Sequence, residues 1–229
     1  MKIDLVYPIG TGSTHANIEI KYSLRSVEKH LSNVGKIWII GEQIPFLKDI
    51  NHISLKDATT NHNENIRQKV LKACDIPELS EDFLFMNDDH FLLQNFDLPN
   101  FPNYYKGTLE DYKFKNNGWY LADLLWTQGK IGNNALNFDT HTPIMYNKTR
   151  FKERLGSIEP VGILIKSMYA AGLEGTKEPD CKLYRRHTLK EIEYKTMTAP
   201  CFYICDRAIN EDLMKFLNYL YPKKSRWEL

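Results

Sequence analysis

The chain has 229 residues, enough for one ordinary domain with a sizeable core. Hydrophobic residues make up 42% and charged residues 26%, which excludes a disordered or low-complexity chain. With 30 basic and 29 acidic side chains the formal net charge is +1, so bulk charge argues neither for nor against a nucleic-acid partner, and only a local patch could.

The first element is "IDLVYPI", a short buried strand. It runs into Gly10, Thr11, Gly12 and Ser13, where glycines allow a tight turn. "NIEIKYSLRSVEKHL" then carries Ile20, Leu24, Val27 and Leu31 at helical spacing. "KIWIIGE" is a second buried strand, and "NENIRQKVLKACDI" a second helix. "DFLFMNDD" is the next strand. This β-α-β-α-β order predicts an α/β, Rossmann-like fold with a mostly parallel sheet flanked by helices. Residues 95–140 are rich in Asn, Gly and Pro and read as an irregular, aromatic-rich insertion. Within it "WYLADLLW" predicts a short helix. Further helices are expected at 148–155, 160–172 and 209–221, with "CFYIC" as a late strand. The whole of 1–229 is expected to form a single domain.

The four cysteines, Cys74, Cys181, Cys201 and Cys205, form no C-x-x-C pair and no zinc spacing. They read as buried, reduced thiols. "MKIDLVYPIG" lacks the apolar stretch of a signal peptide, and no run reaches the roughly 18 apolar residues of a membrane span. A soluble, cytoplasmic protein is therefore expected.

The chemistry centres on "FLFMNDDHFLL", residues 83–93. Asn87, Asp88 and Asp89 stand where a buried strand runs out, and ligands of open parallel sheets bind beyond such ends. Adjacent carboxylates repel one another, and burying them unpaired is costly. Mg²⁺ or Mn²⁺, which prefer oxygen ligands shared with substrate phosphates, would relieve both problems. An acidic turn capping the next element is the bland alternative. The Gly10–Ser13 turn offers backbone N–H groups to a phosphate or ribose, although a purely structural turn reads as well. His141, in "NFDTHTPIMYNK", is a candidate general base or phosphate donor, against an ordinary loop histidine. Lys166 lies in "ILIKSMYAAG", where it either snorkels or meets an anion such as a diphosphate. Asp206 is an acid at another strand end. "LYRRHTL", residues 183–189, is a basic cluster for an anionic acceptor or nucleic acid, or a charged surface loop.

The order of these blocks resembles the Stealth proteins, bacterial capsule hexose-1-phosphate transferases related to the lysosomal-enzyme N-acetylglucosamine-1-phosphotransferase. "NIEIKYSLRSVEKHL" is similar to their "NELRYSLRS" helix. "IPELSEDFLFMNDDHFLL" matches their "LSE.F.Y.NDD.F" segment. "HTP" at 141–143 resembles their histidine-proline block, and "PKKSRWE" their closing "FP.KS.FE". The chain also looks like short phage and bacterial glycosyltransferases. The resemblance implies a glycosyltransferase-A-like domain using a nucleotide-sugar donor. It places Asp88 and Asp89 at the donor diphosphate and metal, makes His141 catalytic, and puts Asp206 at a late acidic position. Arg25, in the matching helix, joins Gly10–Ser13, Asn87 and Asp88 as donor-binding. Stealth proteins carry an acid just after the first strand, in "Y.WVDG", where this chain has Gly10–Ser13.

The expected reaction is therefore metal-dependent transfer of a sugar from a nucleotide diphosphate to an acceptor hydroxyl. Asp88 and Asp89 hold the donor, Lys166 offsets leaving-group charge, and His141 or Asp206 activates the acceptor. The acceptor is a glycan, a protein or modified DNA. Transfer of the intact hexose-1-phosphate is the alternative. From another class comes a non-catalytic glycan or nucleic-acid binder, with Tyr104, Tyr105, Trp119, Tyr120 and Trp126 as stacking surfaces.

Overall fold

The structure, a computed structural model, describes residues 2–113, 118–159, 162–178 and 181–229. It opens with β1 (Ile3–Ile9), all seven residues of which are buried. Burial on both faces marks a strand inside a parallel sheet. Helix α1 (Glu19–His30) follows, burying Ile20, Leu24 and Val27. The tiny strand β2 (Leu31–Ser32) precedes β3 (Val34–Gly41) and β4 (Asn51–Ile53). Helix α2 (His62–Cys74) starts at Asn61, whose side chain accepts from the Glu64 N–H and so satisfies an orphan donor of the first turn. Strand β5 (Asp82–Phe85) completes the predicted β-α-β-α-β order.

Strand β6 (His90–Leu92) turns away from β5. The short strands β7 (Phe96–Asp97) and β8 (Tyr104–Tyr105) and the helices α3 (Leu109–Lys113) and α4 (Gly118–Ile131) form the insertion. Helix α4 is longer than the "WYLADLLW" segment alone suggests. Strand β9 (Ile144–Asn147) and helix α5 (Lys148–Leu155) come next, α5 matching its expected bounds. Helix α6 covers only Ile165–Ala170 of the expected 160–172, residues 160 and 161 lying outside the described set. Strands β10 (Thr176–Lys177), β11 (Lys182–Leu183) and β12 (Cys201–Ile204) alternate with α7 (Leu189–Thr196), and α8 (Glu211–Leu220) is the last helix.

The main sheet has the order β4-β3-β1-β5-β9. Its first four strands are parallel and β9 pairs antiparallel to β5 on the edge. Alternation along β1 sends Leu5, Tyr7 and Ile9 to the α1 face and Val6 to the face covered by α2, α5 and α6. A smaller sheet, β11-β12-β6, carries its own core under α7 and α8 through Phe91, Phe202, Phe216 and Leu217. At Gly41, φ is +129° and an added Cβ would meet the Ile9 carbonyl oxygen at 1.9 Å, so the end of β3 admits only glycine.

Two expectations change. Of the four thiols, Cys74 and Cys201 are buried, whereas Cys181 and Cys205 are half-buried. Arg25, expected among the donor-binding residues, is engaged elsewhere: its Nε and Nη2 donate to both oxygens of Glu228 at 2.8 and 2.7 Å, and it lines neither cavity described below. This pair fastens the last residues onto α1. Arg25→Ala leaves a carboxylate with only 4% side-chain exposure unpaired, and is expected to lower stability by about 3 kcal/mol. Urea denaturation measures this; unchanged stability with weakened nucleotide binding would restore Arg25 to the donor site.

Candidate functional site

The site grows from the end of β5. The Met86 N–H still pairs with the Val6 carbonyl, so the sheet register persists to the last apolar residue. The chain then reverses. The Asn87 N–H donates to Nδ1 of His90 at 3.2 Å, and the His90 N–H donates back to the Asn87 carbonyl at 3.2 Å. His90 is wholly buried and anchors the turn from below. The turn presents Asn87, Asp88 and Asp89, each half-buried, at the carboxyl end of the strand. Apolar runs on both sides of "NDDH" are thus two strands, β5 and β6, meeting at a polar tip.

Two cavities adjoin this tip. The first, about 460 Å³, is walled by Gly10–Ser13, Glu19, Asp57, Lys69, Asn87–Asp89 and Asp206. Serine 13 organises the glycine loop: its hydroxyl accepts from the His15 and Asn17 N–H groups and donates to Glu19 Oε1 at 3.1 Å. Ala16 and Asn17 follow at φ 53° and 51°, the left-handed region that non-glycine residues seldom adopt. Asp206 holds the same loop from the far end of the chain, its Oδ2 accepting from the N–H and hydroxyl of Thr14 at 2.8 and 2.7 Å. Lys69 donates to Asp57 across the cavity wall.

The electrostatics are unbalanced. Burial pushes the Asp88 carboxyl up to about 7, with Glu19 and then Asp206 adding repulsion. Burial and then the neighbouring Asp88 hold Asp89 well above the usual carboxylate range, while Lys166 pulls the other way. Glu19 Oε2, Asn87 Oδ1 and Asp89 Oδ1 are buried oxygens with no hydrogen-bond partner among the described residues. All are hard acceptors, the donor set that Mg²⁺ or Mn²⁺ takes. Among the described residues no three His, Cys, Asp or Glu side chains group closely enough to cage a metal by themselves.

The second cavity, about 400 Å³, shares Ile66, Asn87 and Asp89 with the first. His141 and Lys166 lie here, with Lys106, Asp139, Trp119, Tyr120, Lys182 and Tyr203. Lys166 is buried, and its ammonium donates to the carbonyls of Thr140 and Thr142 at 2.7 and 2.6 Å. Those carbonyls aim it without neutralising it. His141 stacks on Tyr203 with ring centroids 4.1 Å apart and 18° between planes. Its Nε2 lies 3.5 Å from Lys182 Nζ, and since lysine only donates, Nε2 is the acceptor there and a neutral ring carries its proton on Nδ1. Of the insertion aromatics, Trp119 and Tyr120 face this cavity, whereas Tyr104 is core and Trp126 packs on the core.

The candidates therefore divide. Gly10–Ser13, Asp88 and Asp206 surround the first chamber, His141 and Lys166 the second, and Asn87 and Asp89 belong to both. Sequence reasoning missed Glu19, Asp57 and Lys69 around the first chamber, and Lys106, Lys182 and Tyr203 around the second. Glu19 is 4% exposed despite opening a helix, and only its place directly after the glycine loop hints at its role.

No protein-family model and no curated protein sequence matches the chain. Similarity appears in solved structures. The galactosyltransferase LgtC, in complex with donor and acceptor sugar analogues, superposes with a TM-score of 0.52 at 10% identity, over 97% of this chain and 96% of that one. An active-site mutant of LgtC gives a TM-score of 0.50 at 10% identity, over 95% of each chain. This shared architecture establishes that the chain has the glycosyltransferase-A fold, a mostly parallel sheet with helices on both faces.

Proposed function

We propose that the protein is a glycosyltransferase that moves a sugar from a nucleotide diphosphate to an acceptor hydroxyl. The observation that carries this reading is the Asn87–Asp89 turn standing between two chambers at the strand ends of that fold. LgtC, a solved structure with the same fold, holds donor and acceptor sugar analogues.

The first chamber suits the nucleotide, with Gly10–Ser13 as backbone donors and Lys69 toward phosphate. Asp88 and Asp89, with the orphan oxygens of Glu19 and Asn87, would hold Mg²⁺ or Mn²⁺. Such an ion supplies Lewis-acid stabilisation of a leaving diphosphate. Lys166, aimed by two carbonyls beside Asp89, adds a fixed positive charge on the same side. The sugar C1–O bond to diphosphate breaks and a C1–O bond to the acceptor forms, the acceptor proton passing to a base. His141 is the base in the second chamber. Its 3.5 Å contact with Lys182 is weak enough for an acceptor hydroxyl to replace. Asp206, committed to Thr14, is assigned to holding the glycine loop instead.

Among the described residues no helix is long and apolar enough to cross a membrane. The acceptor in the second chamber is a glycan, a sugar on a protein, or modified DNA.

A thermal-shift screen of nucleotide sugars with and without Mn²⁺ tests the assignment. A specific donor at 100 times its Kd stabilises the native state by about 2.7 kcal/mol, and only with the cation present. No stabilisation by any donor under either condition would sink the reading. Phosphorus NMR of the product then separates glycosyl transfer from hexose-1-phosphate transfer, which leaves a phosphodiester.

A further inference from the structure

The second chamber carries more positive charge than a leaving diphosphate calls for. Lys166 serves that need beside Asp89. Lys106 and Lys182 line the same cavity from other elements. Lys106 follows β8, with Nζ 5.0 Å from the Tyr112 ring centroid and 5.6 Å from that of Tyr120. Lys182 opens β11, with Nζ 4.9 Å from the Tyr203 ring. Ring faces attract an ammonium but leave its charge uncancelled. Among the described residues neither lysine forms an ion pair with a carboxylate. The cavity's carboxylates are Asp89, which borders the first chamber too, and Asp139. Trp119 stands in the same wall with 67% of its surface exposed, a large apolar face waiting for a flat partner.

Two ammonium groups and an exposed indole around about 400 Å³ describe a receptor for a ring that bears an anion. We infer that this chamber selects an acidic acceptor: a sugar carrying a carboxylate or phosphate, its ring on Trp119 and its anion met by Lys106 and Lys182. The inference rests on the transferase reading only in calling the occupant an acceptor.

The test is direct binding without donor, by calorimetry, to methyl glucoside, methyl glucuronide, glucose 6-phosphate and a short oligothymidylate. The wild-type chain is expected to bind one of the two charged sugars at least about tenfold tighter than methyl glucoside, with the gap closing as salt rises. Whether glucuronide or phosphate wins identifies the anion. The double variant Lys106→Gln, Lys182→Gln, shown by thermal melting to be folded, is expected to lose the preference and keep its weak affinity for methyl glucoside. Equal binding of neutral and charged sugars would overturn the inference. So would a preference that survives the double variant, or oligothymidylate binding tighter than either charged sugar. Failure of every nucleotide sugar to stabilise the same samples, alongside a retained anion preference, would remove the transferase reading and keep the anion receptor.

Discussion

Asp89→Asn is expected to reduce sugar transfer by at least about 100-fold, the scale on which removal of one transition-state stabilising group acts. Asparagine keeps the size and one oxygen but loses the charge. Asp89 is the only carboxylate among the described residues that lines both chambers, so in the proposed reading it would border donor and acceptor at once. The fold should survive, because the turn is held by the backbone and His90 rather than by the carboxylate. The cation-free variant should even be more stable than wild type near neutral pH, since it no longer confines two repelling acids. Donor turnover under saturating Mn²⁺, with circular dichroism as the fold control, decides the matter. Undiminished turnover in a folded Asp89→Asn protein would move the reaction elsewhere.

The second large effect is on stability against pH. Asp88 is raised to about 7 in the folded chain, chiefly by burial, from an ordinary value near 4. Between those values the native state keeps a proton that the unfolded chain releases. Through Asp88, stability without cation is therefore greatest below pH 4 and is lost as pH rises through about 7, and the raised Asp89 extends the loss in the same direction. The two carboxyls titrate as a pair, so the total loss is a few kcal/mol rather than the sum of separate terms. Urea melts between pH 4 and 8 with a chelator present measure the slope; Asp88→Asn should flatten it. Mn²⁺ should restore most of the lost stability at pH 8 and little at pH 5, because the ligand oxygens must be deprotonated to bind it. A wild-type profile that is flat from pH 4 to 7 would show that the acids are not confined as the structure places them.

Much of the fold was legible because parallel strands buried on both faces leave continuous apolar runs, as in Leu5–Ile9 and Phe83–Met86. The same rule exposed Asp88 and Asp89: acids inside such a run must lie at its end. Strand β4 escaped because three residues, Asn51–Ile53, carry too little pattern. Glu19 and Lys69 escaped for a different reason. On a helix an acid or a lysine reads as solvated, and only the packing of the sheet against α1 and α2 buries them near the cleft. Arg25 shows the converse. Its local setting suited a phosphate ligand, but its partner Glu228 lies 203 residues away, and no local spacing reports a contact of that range. The second chamber was invisible in outline, since Lys106, Trp119, His141 and Lys182 meet only when the insertion folds back on the smaller sheet.

Asp89 stands in a partition between two rooms. Whatever docks on one side alters the charge that the visitor on the other side feels, so the two occupancies share a single free-energy term. Linkage makes that term symmetric: the factor by which an occupant of one chamber changes affinity in the other equals the factor returned in the opposite direction. A turn three residues long is thereby enough to couple the two occupancies.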